Sequence, residues 1–316
     1  MGKLPNWLGE LKNLRGLYLS DNKLEGPIPA SLWALQHLEY LYLRLNKLNG
    51  TLLDSIGQLS QLQYLDVSSN HLSGSLSEQH FWKLRKLEYL HMESNSFHLN
   101  VSSNWVPPFQ ANYLNMGSCH LGPSFLAWLQ SQKNLWVIPS NIGESLPNLV
   151  FLSLSSNQII GTIPDSIGHL TSLEVIDFSK NNLTGSIPSI INNCSGLFVL
   201  DLGNNNLSGM LPKSLGQLRL LKSLHLNQNK LSGEFLSSLQ NLAGLEVLDL
   251  SYNRLSGRLS FQLSNLSSLH VLDLAKNNSV GEIPVTLVKL KAMAQEQLNI
   301  YQLNVNGNSC MKRDWL

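Results

Sequence analysis

The chain has 316 residues, with 22 Lys and Arg against 21 Asp and Glu, 43% hydrophobic residues and only 14% charged ones, where an average soluble domain has roughly 25% charged. A formal net charge of +1 leaves no basic surplus for phosphates, which argues against nucleic acid as a partner, and the hydrophobic share is too high for a disordered chain. No run approaches 18 uninterrupted apolar residues, so no membrane-spanning segment is expected within these residues; the start, MGKLPNWLGELKNLRG, has no apolar stretch that would mark a secretory signal. Cys119, Cys194 and Cys310 lie far apart and are odd in number, which gives neither a disulfide framework nor zinc spacing.

About one residue in five is Leu and about one in ten is Asn, and the reason is a repeat. Leu14, Leu38 and Leu62 stand 24 apart; one 25-residue step reaches Leu87, and the register continues through Ala111 to Leu135. A second run, Leu149, Leu173, Leu197, Leu221, Leu245 and Leu269, keeps 24 throughout. The unit reads LxxLxLxxNxLxGxIPxxIGxLxx, nearly complete in LVFLSLSSNQIIGTIPDSIGHLTS at 149–172. A period of this length predicts one solenoid in place of two globular domains.

Within each unit the LxL alternation (Leu17/Leu19, Leu41/Leu43, Leu65/Val67, Leu224/Leu226) is that of a strand with one buried face. Strands of successive units are expected to stack into a parallel sheet. The Asn that follows each strand, at Asn22, Asn46, Asn70, Asn95, Asn157, Asn181, Asn205, Asn229, Asn253 and Asn277, has two donors and an acceptor with which to bond its own turn and the next as a ladder. Cys119 stands in the same column and is read as a buried thiol in place of Asn. Next comes LxGxIP, intact at Gly161–Pro164, Gly185–Pro188, Gly209–Pro212 and Gly281–Pro284, where Gly lets the backbone bend and Pro prevents an early helix.

The GxIP element resembles the plant-specific class of leucine-rich repeats. The irregular segment NSFHLNVSSNWVPPFQANYLNMGSCHLGPSFLAWLQSQKNL (95–135), with LKAMAQEQLNIYQLNV (290–305), is similar to plant leucine-rich-repeat receptor-like proteins of the group that includes the fungal-xylanase receptors. The resemblance implies an α/β-type right-handed leucine-rich-repeat solenoid with a parallel concave sheet. It also implies a receptor ectodomain on the extracellular side of the plasma membrane, engaged in defence recognition or signalling. Such an ectodomain would bind a protein or peptide ligand, with a co-receptor kinase as a further partner, and have neither catalysis nor cofactor. The alternatives are an inhibitor of a secreted cell-wall hydrolase and a non-functional truncated remnant.

The organisation expected is repeats over 1–134, the first one incomplete; a truncated repeat at 135–148; repeats over 149–292; and a non-repeat tail at 293–316 that resembles the start of a receptor island. Leu135 leads directly into Trp136-Val137-Ile138-Pro139, and the spacing to Leu149 is 14. The strands near 112–118 and 150–156 are therefore expected to be neighbours, joined by a long convex connection. Caps and a membrane anchor that such receptors carry are not seen in the sequence, so a fragment or shortened receptor product is expected.

Ligand contacts are expected on the concave sheet, where outward side chains form a continuous surface. The residues that break the repeat consensus there are the candidates: Tyr18, Tyr42, Arg44, His91, Glu93, Asn115, His225 and Tyr252. Tyrosines suit such a role because they offer rigid, amphipathic contact area. Toward the C-terminus the same column is acidic, with Asp177, Asp201, Asp249 and Asp273. No HExxH, P-loop, GxGxxG or GxSxG motif is present, and no metal-ligand spacing is found. Asn-x-Ser/Thr sequons mark Asn49, Asn100, Asn182, Asn193, Asn206 and Asn265 as glycosylation candidates; a seventh, at Asn277, falls on a ladder residue.

Overall fold

The computed structural model describes residues 2–294 except 103, 104, 106, 122–136, 139, 235, 259, 260 and 284. Cys310, the 293–316 tail from 295 onward, and the whole 122–136 stretch therefore lie outside the described residues. The chain forms two compact units, Met1–Ser166 and Ile167–Leu316.

In the first unit, the three-residue strands Gly16–Tyr18, Tyr40–Tyr42, Tyr64–Asp66, Tyr89–His91, Tyr113–Asn115 and Phe151–Ser153 pair in parallel in that order. The central leucines Leu41, Leu65, Leu90, Leu114 and Leu152 are all 4% exposed or less, while Leu17 in the first strand is half-buried. A second parallel sheet runs through Glu25–Gly26, Lys47–Thr51, His71–Leu76, Ser96–Leu99 and His120–Leu121. In the second unit the main sheet is Val175–Asp177, Val199–Asp201, Ser223–His225, Val247–Asp249 and Val271–Asp273. Its companion sheet is Ser208–Met210, Lys230–Glu234, Arg254–Arg258 and Asn278–Val280. Short 3-10 helices close the coils, and those at Ala30–Ala34, Ser189–Asn193 and Lys213–Gln217 begin immediately after the prolines of GxIP, whose fixed φ suits a helix start.

Each turn from strand to ladder Asn passes through a left-handed residue, from Asp21 (φ 55°) and Leu45 (53°) to Tyr252 (54°) and Lys276 (56°). Such a conformation costs roughly 1–2 kcal/mol for a residue other than Gly and persists because the Asn behind it fixes the turn. Asn70 is typical. Its Oδ1 accepts the Leu48 N–H at 3.0 Å from the preceding coil, and its Nδ2 donates to Leu43, Val67 and Ser68 carbonyls at 3.0–3.1 Å. Asn22, in the first coil, is the exposed member and, among the described residues, bonds only its own turn. Coils also approach closely on the helical side: a Cβ on Gly57 would lie 2.0 Å from the Gln79 carbonyl oxygen.

The 14-residue step has a simple structural solution. Phe151 pairs with Tyr113 and Ser153 with Asn115, so the strands on either side of it are direct neighbours. Val137 bridges to Ile160, as Thr51 pairs with Ser73 three residues past its own ladder Asn. Ile138 is buried to 3%, as Ile28 is. The short unit has therefore kept the xIP half of a coil and lost the strand half. Its closing helix, Ile142–Ser145, is a single α turn, as is Leu236–Leu239 in the second unit.

Candidate functional site

The open face of the first unit's main sheet is aromatic because register puts tyrosines directly opposite one another: Tyr40, Tyr64, Tyr89, Tyr113 and Phe151 occupy one column. Gly16 begins that column, and the Tyr18 ring folds over it, 2.7 Å from where a Gly16 Cβ would sit. Tyr18 stacks on Tyr42 with centroids 5.1 Å apart and planes at 13°, Tyr40 on Tyr64 at 5.1 Å, and Tyr89 on His91 at 4.3 Å. Contacts continue from Tyr64 to Tyr89 at 5.5 Å, Tyr89 to Tyr113 at 5.4 Å and His91 to Phe151 at 5.5 Å. Offset and stacked rings at these distances contribute about 0.5–1.5 kcal/mol per pair beyond area burial.

Exposure falls along this face. Tyr18 is 64% exposed, Tyr40, Tyr42, Tyr64 and Tyr113 are half-buried, and Tyr89, His91 and Asn115 are buried at 9%, 7% and 1%. Of the candidates from sequence, Tyr18, Tyr42, Arg44 and Glu93 are thus at least partly accessible, whereas His91 and Asn115 are packed into the face. Asn115 Oδ1 accepts the Gly117 N–H at 3.1 Å, which fixes its turn. The charge state follows from burial. Desolvation raises the Tyr42 and Tyr64 hydroxyls, Tyr42 further through Tyr18 and Tyr64, and Tyr64 further through Glu88. Burial, then Arg44, holds His91 down to about 3, so it is neutral at pH 7. Burial also raises Asp66, against hydrogen bonds from the Ser68 hydroxyl at 2.6 Å and N–H at 3.0 Å. Phe151 was not among the sequence candidates; aligning Tyr113 with Phe151 across the short step is the signal that finds it.

In the second unit the acidic column does local work. Asp177 and Asp249 each accept the N–H and hydroxyl of the serine two residues on, at 3.0 and 2.7 Å, and Asp201 and Asp273 accept from Gly203 and Ala275. These are Asx-type turns. Burial, then Asp177, pushes Asp201 up to about 7. His225 is half-buried and accepts or donates through Nε2 to the Ser223 hydroxyl at 2.8 Å, the separation of a nucleophile and its base. Ser223, however, is 0% exposed and Asp249 already serves Ser251, so the pair offers a substrate no access. Tyr252, 55% exposed, lies at a left-handed turn outside the strand face. Among the described residues, no group of three His, Cys, Asp or Glu side chains is placed to hold a metal.

Family models for leucine-rich repeats match residues 13–35, 46–97, 139–260 and 243–287. The fold is a leucine-rich-repeat solenoid. No curated protein matches the sequence. Among solved structures, the chain is similar to the plant peptide hormone receptor RGFR1 in complex with RGF2, at 28% identity, TM-score 0.73, over 92% of this chain and 48% of that one. It is also similar to the Arabidopsis receptor kinase HAESA ectodomain with an extended IDA peptide hormone, at 28% identity and TM-score 0.64, over 92% and 54%. A leucine-rich-repeat protein of Leptospira interrogans is matched at 26% identity and TM-score 0.64, over 93% and 80%. This leucine-rich-repeat chain spans about half the length of the plant receptors it matches.

Proposed function

We propose that the chain is the ligand-binding part of a plant cell-surface receptor-like protein, on the extracellular side of the plasma membrane, that recognises a peptide or protein and performs no catalysis. The observation that carries this reading is the contiguous aromatic face from Tyr18 to Tyr113, where the repeat consensus is abandoned on consecutive strands. Amphipathic rings held by stacking lose little entropy on binding. Two structures it is similar to hold peptide hormones, and HAESA with IDA also holds the co-receptor SERK1, which supports a co-receptor kinase as a further partner. Among the described residues no helix is long and apolar enough to cross a membrane.

A defence role, in the manner of the group similar to fungal-xylanase receptors, rests on the 95–135 and 290–305 segments. Arg44 and Glu93 flank the rings and would fix ligand register through charge; Tyr18 and Tyr42 would supply area. The test is a binding screen of the full chain against fractionated secreted plant peptides. Tyr18→Ala/Tyr42→Ala should lower affinity at least about 10-fold, in line with the energy of a recognition hot spot, and Tyr252→Ala should leave it unchanged. Equal affinity for the double variant and the parent would overturn the assignment.

A further inference from the structure

Sequons are distributed unevenly around the coil. Counted from the ladder Asn that ends each strand, Asn182 and Asn206 are one residue on, Asn49 three, Asn100 five, and Asn193 and Asn265 twelve. All six fall between the turn and the end of the short helix. None falls on a main-sheet strand or on the segment that leads from helix to strand. Asn49, Asn100, Asn182, Asn193 and Asn265 are exposed and Asn206 is half-buried, and none of their side-chain amides makes a hydrogen bond among the described residues.

Asn277 carries an equally good sequon in a different environment. Its Oδ1 accepts the Leu255 N–H at 3.0 Å, and its Nδ2 donates to the Leu250, Leu274 and Ala275 carbonyls at 2.9–3.3 Å. A sugar attached at Nδ2 replaces one of those donors and needs space that the neighbouring coil occupies. The hydroxyl of Ser279, which completes the sequon, is itself buried. Motif alone ranks Asn277 with the others; its hydrogen bonds set it apart.

We infer that N-linked glycans are confined to one arc of the coil, on Asn49, Asn100, Asn182, Asn193, Asn206 and Asn265, with Asn277 bare in the folded protein and the main-sheet faces free of sugar. The inference rests on the extracellular assignment above, since the modification belongs to the secretory pathway. It has a consequence for recognition: the aromatic face is the side on which a bulky glycan would exclude a protein partner, and that side has none. On the opposite arc the glycans add hydration to a surface poor in charge.

The experiment secretes the full chain behind a heterologous leader, recovers the folded monomeric fraction, and removes its glycans enzymatically in heavy-oxygen water, so that each formerly modified Asn carries an isotopic mark. Marks at the six positions and none at Asn277 are expected. A mark at Asn277 in folded protein, or an absence of marks at the six, overturns the inference. Ser279→Ala provides a second readout, because it removes the Asn277 sequon without touching the ladder amide: the secreted mass should change only by the lost oxygen, whereas Ser208→Ala should remove one glycan. A Ser279→Ala protein lighter by a glycan overturns the inference as well. Failure of peptide binding would leave this map intact, so the two readings fail separately.

Discussion

Asn205, Asn229 and Asn253 sit in an unbroken run of coils, whereas Cys119 and Asn157 flank the short step. In the run each amide is fully used: Asn229 accepts the Leu207 N–H at 2.9 Å and donates to Leu202, Leu226 and Asn227 carbonyls at 2.9–3.2 Å. At the break Cys119 has a single long contact, Sγ to the Met92 carbonyl at 3.8 Å. Burial, then Glu93, pushes its thiol up to about 12, so it stays a neutral, weak donor. Asn157 keeps three donor bonds at 3.0–3.2 Å, but its buried Oδ1 has no partner among the described residues. The ladder is therefore two devices in one side chain. Two donor bonds hold a turn closed, while the third donor bond and the acceptor tie that turn to the coil before it; beside the short step Asn157 keeps its donor bond to the Met116 carbonyl, and only the acceptor link is missing among the described residues.

The largest effect should come from the unbroken run. Asn229→Ala strands a buried N–H and three carbonyls and is expected to cost about 3–5 kcal/mol in urea unfolding. A loss below 1 kcal/mol would mean that the ladder is ornamental. The same run carries Asp201, raised from 3.8 to about 7. A carboxyl with a raised folded pKa stabilises the fold while protonated and loses that advantage on ionising, so stability should decline by about 2–4 kcal/mol as pH rises from 3.8 to about 7. Asp201→Asn should flatten that slope in thermal melts across this range. Asn157→Ala, at the break, should cost only about 1–3 kcal/mol, since its acceptor has no partner among the described residues; a cost equal to that of Asn229→Ala would erase the contrast. The smallest change runs the other way. Cys119→Asn should stabilise the protein by about 1 kcal/mol by restoring amide donors toward the Met92 carbonyl, and a destabilisation there would show that the site is shaped for sulfur.

Strand positions, ladder residues and the adjacency of the 113 and 151 strands were legible because each follows from counting to 24 and from the length a coil needs. The left-handed residue before each Asn was not, since Asp21, Leu45, Ser69 and Tyr252 share no chemistry; only the hydrogen bonds behind them select the conformation. On the candidate face, Tyr18 and Tyr42 could be read from the sequence as outward residues. The burial of His91 could not, because it depends on stacking between Tyr89 and on the Phe151 ring that the short step brings within 5.5 Å. Asp177 and Asp249 look like a charged strip in sequence and are turn caps in three dimensions, a difference set by the serine two residues on.

The half-coil at Val137 and Ile138 carries a lesson for how such proteins change length. Val137 and Ile138 occupy their usual places although the strand that should precede them is missing, and the Tyr113 and Phe151 strands meet without a gap. A coil is thus two separable parts, and recombination or a designer can excise the strand half alone. Such a deletion shortens the aromatic face by one strand while the Val137–Ile160 bridge keeps the remaining half-coil tied to the next one, a change of sheet length that never requires an entire repeat to be gained or lost.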